Sequence, residues 1–166
     1  MQFALFLPKK FFGMKLNSLK DNLLNIIHHK DLSVDHRLQE VCSVLKESVP
    51  HYDWVGFYFQ NGTKNELKLR AFAGEPTEHQ IIPFGKGICG QVAESGENFM
   101  VPDVEAQDNF LACNMFTKAE LVVPLYLGEK NIGQIDIDSA TKDPFTEEDE
   151  EFLKFINGEV AKVLSA

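Results

Sequence analysis

Glu120, Asp136 and Asp138 lie on two stretches that alternate as strands, and Cys89 and Cys113 fall in a glycine-rich turn and a polar loop. Leu121, Val123, Leu125 and Leu127 alternate on the first stretch, and Ile135 and Ile137 on the second. Matching those apolar sets on one face fixes the register, because a one-residue slip exposes them all. With Gly128, Glu129 and Lys130 as the loop, pairing is symmetric about Glu129. Glu120 then lies opposite Asp138, and Val122 opposite Asp136. All three acids share the face turned away from the core.

Like charges directly opposite one another destabilise a strand pair. Either the face is solvated or a cation offsets the repulsion. Calcium or magnesium wants more oxygen ligands than a strand-borne triad offers. An organic ammonium fits better, needing only two or three convergent carboxylates.

The cysteines divide by setting. Cys42 lies on an apolar helical stripe, where a free cysteine packs as a small hydrophobe. Cys89 opens a short helix, a setting that favours the thiolate. Cys113 lies in a loop just ahead of the strand that carries Glu120, and loops on a rigid scaffold often hold reactive groups. For Cys89 and Cys113 a structural role stands beside a reactive one. Trp54 and Tyr58 share one face of a strand, as core filling or as the aromatic wall of a pocket. His28, His29, His36 and His51 read as surface residues.

These groups need elements to hold them. Residues 16–30 and 34–49 carry helical stripes, the second ended by Pro50. Strands are expected at 52–59, 67–73, 98–101, 120–127 and 132–138, with a short helix at 89–95. Residues 102–114 read as a polar loop. A last helix spans 146–164, with Thr146 as N-cap and Asp149 in position for a capping box. The acidic block 147–151 reads as a solvated helix start. Helices, then hairpin-linked strands, then a helix indicate an α+β fold with an antiparallel sheet. The sequence from Gly85 to Gly90 matches G-x-G-x-x-G, but a dinucleotide site also needs a parallel strand and a full crossover helix. It reads instead as a tight turn.

The chain has 166 residues, 44% hydrophobic and 25% charged, which indicates one globular domain. A net charge of -9 argues against nucleic-acid and anionic-membrane partners. No apolar run approaches the ~20 residues of a membrane span. Three widely spaced cysteines fit a reducing, cytoplasmic setting rather than a disulfide framework. No Cys-x-x-Cys or His-x-x-x-His pair supplies a zinc site. Residues 1–13 are apolar and basic, but the lysines follow the apolar run, the wrong order for a signal peptide. They read as a loose extension ahead of a domain spanning 14–166, with Met14 as an alternative start.

From Trp54 onward the chain resembles a GAF domain, specifically the free methionine-(R)-sulfoxide reductases. The matching stretches are WVGFY (54–58), PFGKGICG (83–90), VPDV (101–104), LAC (111–113), ELVVPL (120–125), IGQIDIDS (132–139) and FTEED (145–149). The resemblance implies a single GAF-like domain with N- and C-terminal helices packed on one face of the sheet. It implies reduction of free methionine-(R)-sulfoxide, with Cys113 as the reactive cysteine and Cys89 as a second family cysteine. Glu120, Asp136 and Asp138 match the substrate-holding carboxylates, and Trp54 and Tyr58 the aromatic wall. The implied cycle uses no bound cofactor or metal, takes thioredoxin or another dithiol as reductant, and runs in a cytoplasmic homodimer.

One departure matters. His79 stands where family members usually carry another cysteine. Cys89 then has to resolve the oxidised Cys113, or an outside thiol does. Asn114 stands where an aspartate is common. The competing reading is a non-catalytic GAF module for small-ligand binding or regulation. A third has His79 and a cysteine holding a metal.

Overall fold

Ser33 caps the second helix by accepting the His36 N–H at 3.2 Å, and Leu38, Val41, Cys42 and Leu45 form its buried stripe. The computed structural model describes residues 9–111 and 114–165, with side chains from residue 16 onward. Cys113 and residues 1–8 therefore lie outside the described residues, and the expected division between residues 13 and 14 falls inside the first helix.

The elements run α1 (Lys9–Ile27), α2 (Val34–Ser48), β1 (Trp54–Gln60), β2 (Glu66–Ala73), β3 (Ile81–Pro83), α3 (Gly87–Ser95), β4 (Phe99–Val101), β5 (Ala119–Leu127), β6 (Lys130–Ser139) and α4 (Glu147–Leu164). A 3-10 turn, Val104–Ala106, interrupts the expected loop after β4. The strands form one antiparallel sheet in the order β3-β2-β1-β6-β5-β4. β1 and β6 are its centre, so the residues they carry are the best fixed.

Strand alternation sorts the side chains into two cores. Val55, Phe57, Leu121, Val123, Leu125, Ile135 and Ile137 pack under α1, α2 and α4. Trp54, Tyr58, Leu67, Leu69 and Val122 face the other way, toward α3, and contribute to a smaller core with Ile88, Cys89 and Val92. Burying one such Leu or Phe stabilises the fold by roughly 1.5–3 kcal/mol. Helices from both ends of the chain thus share one face, and the opposite face carries the acids. Asn157 ties α4 down by donating to the Val123 and Pro124 carbonyls at 2.9 and 3.0 Å.

Three expectations change. The β5–β6 turn is two residues long, with Leu127 opposite Lys130, and a bulge between Leu125 and Tyr126 restores the expected register. Asp149 is fully buried rather than part of a solvated block. It accepts from Tyr52 Oη at 2.7 Å and the Thr146 N–H at 2.8 Å, and lies 3.0 Å from His51 Nε2. Thr146 and Asp149 do form the capping box. His51 is half-buried against this cluster rather than a surface residue. Cys42 is buried, and desolvation pushes its thiol far above its ordinary range.

Candidate functional site

Glu120 pairs with Asp138 across β5 and β6, and Val122 with Asp136. On the other side of β6, Trp54 pairs with Asp138, Gly56 with Asp136, and Tyr58 with Gln134. Three adjacent strands therefore bring the predicted acids and aromatics onto one face. Glu120, Asp136 and Asp138 are 2%, 0% and 1% exposed, which removes the solvated-face reading.

Burial and the neighbouring Asp136 and Asp138 charges push the Glu120 carboxyl well above its ordinary range. Glu120 Oε2 is buried with no hydrogen-bond donor of its own. Its Oε1 faces Cys89 Sγ at 3.8 Å. Cys89 lies in the first turn of α3 and is buried.

Glycines 85, 87 and 90 make that helix entry. Gly85 and Gly87 adopt positive φ, which L side chains rarely take. Asn109 locks the turn, donating to the Gly85 carbonyl at 2.7 Å and accepting the Gly87 N–H at 2.9 Å. The turn thus aims a helix start at the carboxyls.

Trp54 and Tyr58 are equally fixed. Trp54 Nε1 donates to the Glu75 carbonyl at 3.0 Å, and its ring stacks on Phe72 at 5.8 Å. A Cβ at Gly56 would fall inside the indole, and one at Gly74 would lie 2.6 Å from its Cδ1. Tyr58 donates to the His79 carbonyl at 2.9 Å, which anchors the loop between β2 and β3.

Two cavities border the acids. A small one is lined by His79, Ile82, Cys89, Leu111 and Glu120, among others. A cavity of about 600 Å³ reaches Asp138 from the end of the sheet, between Lys46 and Glu47 of α2, Glu75, and Asn114 and Phe116. Leu111 lines the small cavity with Cys89, and Asn114 lines the larger one with Asp138.

A GAF domain model matches residues 33–164. The chain belongs to the GAF-domain family. Among its GAF relatives, the free methionine-R-sulfoxide reductase of Saccharomyces cerevisiae is 41% identical over 104 residues, covering 61% of this chain and 57% of that one. The Escherichia coli free methionine-R-sulfoxide reductase is 32% identical over 128 residues, 77% of this chain and 76% of that one. The structure of the Neisseria meningitidis reductase in complex with its substrate superposes with a TM-score of 0.87 at 29% identity, covering 99% of this chain and 96% of that chain.

Within this GAF domain, two further residues shape the site. Gln134 is buried on the same alternation as Asp136 and Asp138, so its place was readable from Q-I-D-I-D. Gly56 lies between Trp54 and Tyr58, and a glycine inside a strand marks a close approach. No helix among the described residues is long and apolar enough to cross a membrane.

Proposed function

We propose that this chain is an oxidoreductase that reduces free methionine-(R)-sulfoxide, with Cys113 attacking the sulfoxide and Cys89 resolving the product. The observation that carries the reading is the buried triad. The charged groups acting on Glu120 are two other carboxylates, so an ammonium brought by the ligand supplies the compensating charge. Trp54 and Tyr58 then contact the S-methyl end. The kinship with free methionine-R-sulfoxide reductases supports the substrate class.

The chemistry balances without a metal or bound cofactor. The Cys113 thiolate attacks the sulfoxide sulfur, and a neutral carboxyl protonates the oxygen as the S–O bond breaks. Glu120 is well suited to that step, since its surroundings favour the protonated form. The oxygen passes from the methionine sulfur to the Cys113 sulfur as the newly formed S–S bond breaks, so methionine leaves and Cys113 becomes a sulfenic acid. Cys89 attacks that sulfur, releasing water and forming a disulfide. Thioredoxin or another dithiol reduces the disulfide by exchange and is itself oxidised. Leu111 and Asn114, which border residues 112–113 in the sequence, line the two cavities beside the acids. A homodimer in the cytoplasm is the expected setting.

The deciding assay follows NADPH consumption through thioredoxin reductase and thioredoxin, with the R epimer as substrate and the S epimer as control. R-specific turnover supports the reading. Turnover only with excess dithiothreitol assigns resolution to an outside thiol and removes Cys89 from that role. No turnover with either reductant leaves a GAF ligand-binding module.

A further inference from the structure

Cys89 Sγ, a Glu120 carboxylate oxygen and an Asp136 carboxylate oxygen all lie within 4.8 Å of one another, and all three residues are buried. An amino-acid ammonium uses the oxygens and leaves the sulfur out. A thiol beside carboxylates is the donor set of a borderline-soft divalent cation rather than of calcium or magnesium. In a tetrahedral zinc centre, a sulfur at about 2.3 Å and an oxygen at about 2.0 Å from the metal are separated by ~3.5 Å. Cys89 Sγ and Glu120 Oε1 are 3.8 Å apart, within a few tenths of that edge.

Two further observations point to a ligand. Glu120 Oε2 and Gln134 Oε1 are buried acceptors without a donor. Gln134 is held beside α3 by donating to the Cys89 carbonyl at 3.1 Å. His79 lines the same small cavity as Cys89 and Glu120 but lies outside the cluster of ligand atoms.

We infer that Cys89, Glu120 and Asp136 form a binding site for a zinc-class divalent cation that excludes an ammonium ligand from the same carboxylates. The exclusion rests on the ammonium reading of the site; the metal site itself does not. Binding displaces the protons held on the Cys89 thiol and the Glu120 carboxyl to solvent, and no electrons are exchanged.

The test uses the full chain, reduced and stripped of metal, titrated with zinc against a chromogenic chelator. One zinc per chain is expected, with affinity falling about tenfold or more in both Cys89→Ser and Glu120→Gln. Cobalt in place of zinc should give a thiolate-to-metal charge-transfer band that is absent in Cys89→Ser. Circular dichroism restricts the comparison to folded variants. Substoichiometric binding, or binding unchanged by Cys89→Ser, overturns the site. Free methionine should weaken zinc binding competitively, and no competition overturns the exclusion. No reductase turnover by the metal-stripped chain would sink the enzymatic reading and leave the metal site standing.

Discussion

Glu120 faces Asp138 across the β5–β6 pair, and both carboxyls are buried. Like charges so placed oppose folding whenever both are ionised. The Glu120 carboxyl is raised in the folded chain by burial and its acidic neighbours. Between its unfolded and folded values, the folded state binds the extra proton. This contribution to stability is therefore complete below the ordinary carboxylate range and is lost as pH rises toward the folded value. Glu120→Gln keeps the shape without the charge. Its melting temperature should exceed the parent's at neutral pH, by about 2–4 °C for each ~1 kcal/mol in a domain of this size. The gap should close toward about pH 4. Thermal melts across that range check it, and a gap independent of pH would refute the account.

Gly56→Ala tests the aromatic wall. The added methyl group collides with the Trp54 ring, so the indole has to move. The expected cost is ~1–3 kcal/mol of stability, as for other overpacked cores. Methionine affinity should fall as well, because the wall is displaced. Urea denaturation and calorimetric titration measure the two effects. Unchanged affinity would mean that the indole's position is not needed.

Asp149→Ala is the contrasting case. It removes the acceptor of Tyr52 Oη and of the α4 cap, on the face of the sheet opposite the acids. A loss of about 3 kcal/mol is expected, with methionine affinity unchanged in the folded fraction. A large change in affinity would show that the α4 start and the site communicate.

Single-turnover experiments separate the thiols. Cys113→Ser should release no methionine from the R-sulfoxide while keeping the parent's circular dichroism. Cys89→Ser should release about one methionine per chain, then stall with thioredoxin as the reductant. Methionine quantified after rapid quench decides both. Multiple turnovers by Cys113→Ser would move the nucleophile elsewhere.

The site's face was legible because strand alternation has a rigid period. The apolar sets 121/123/125 and 135/137 could pair in only one register without exposure, and that register put Glu120 beside Asp138. The two-residue turn and its bulge were not legible, since a bulge changes local geometry while leaving the apolar pattern intact. β3 escaped because three residues ending in Pro83 show no period. Pro is tolerated there because β3 is an edge strand. Asp149 looked like its acidic neighbours, because nothing local reveals that Tyr52, far away in sequence, reaches it. Burial of the triad was also beyond the sequence, since it depends on how α3 packs against that face of the sheet.

Trp54 is the chain's one tryptophan, and it is fully buried at the strand position paired with Asp138. Its ring occupies the space that Gly56 and Gly74 leave open, with its N–H fixed on the Glu75 carbonyl. Light at the red edge of the near-ultraviolet band excites that indole alone. Its emission therefore comes from a single address, beside the carboxyls and across from the helix that carries Cys89. A ligand, a metal ion or a change in protonation there alters the spectrum directly, so the protein carries its own optical probe and needs no label.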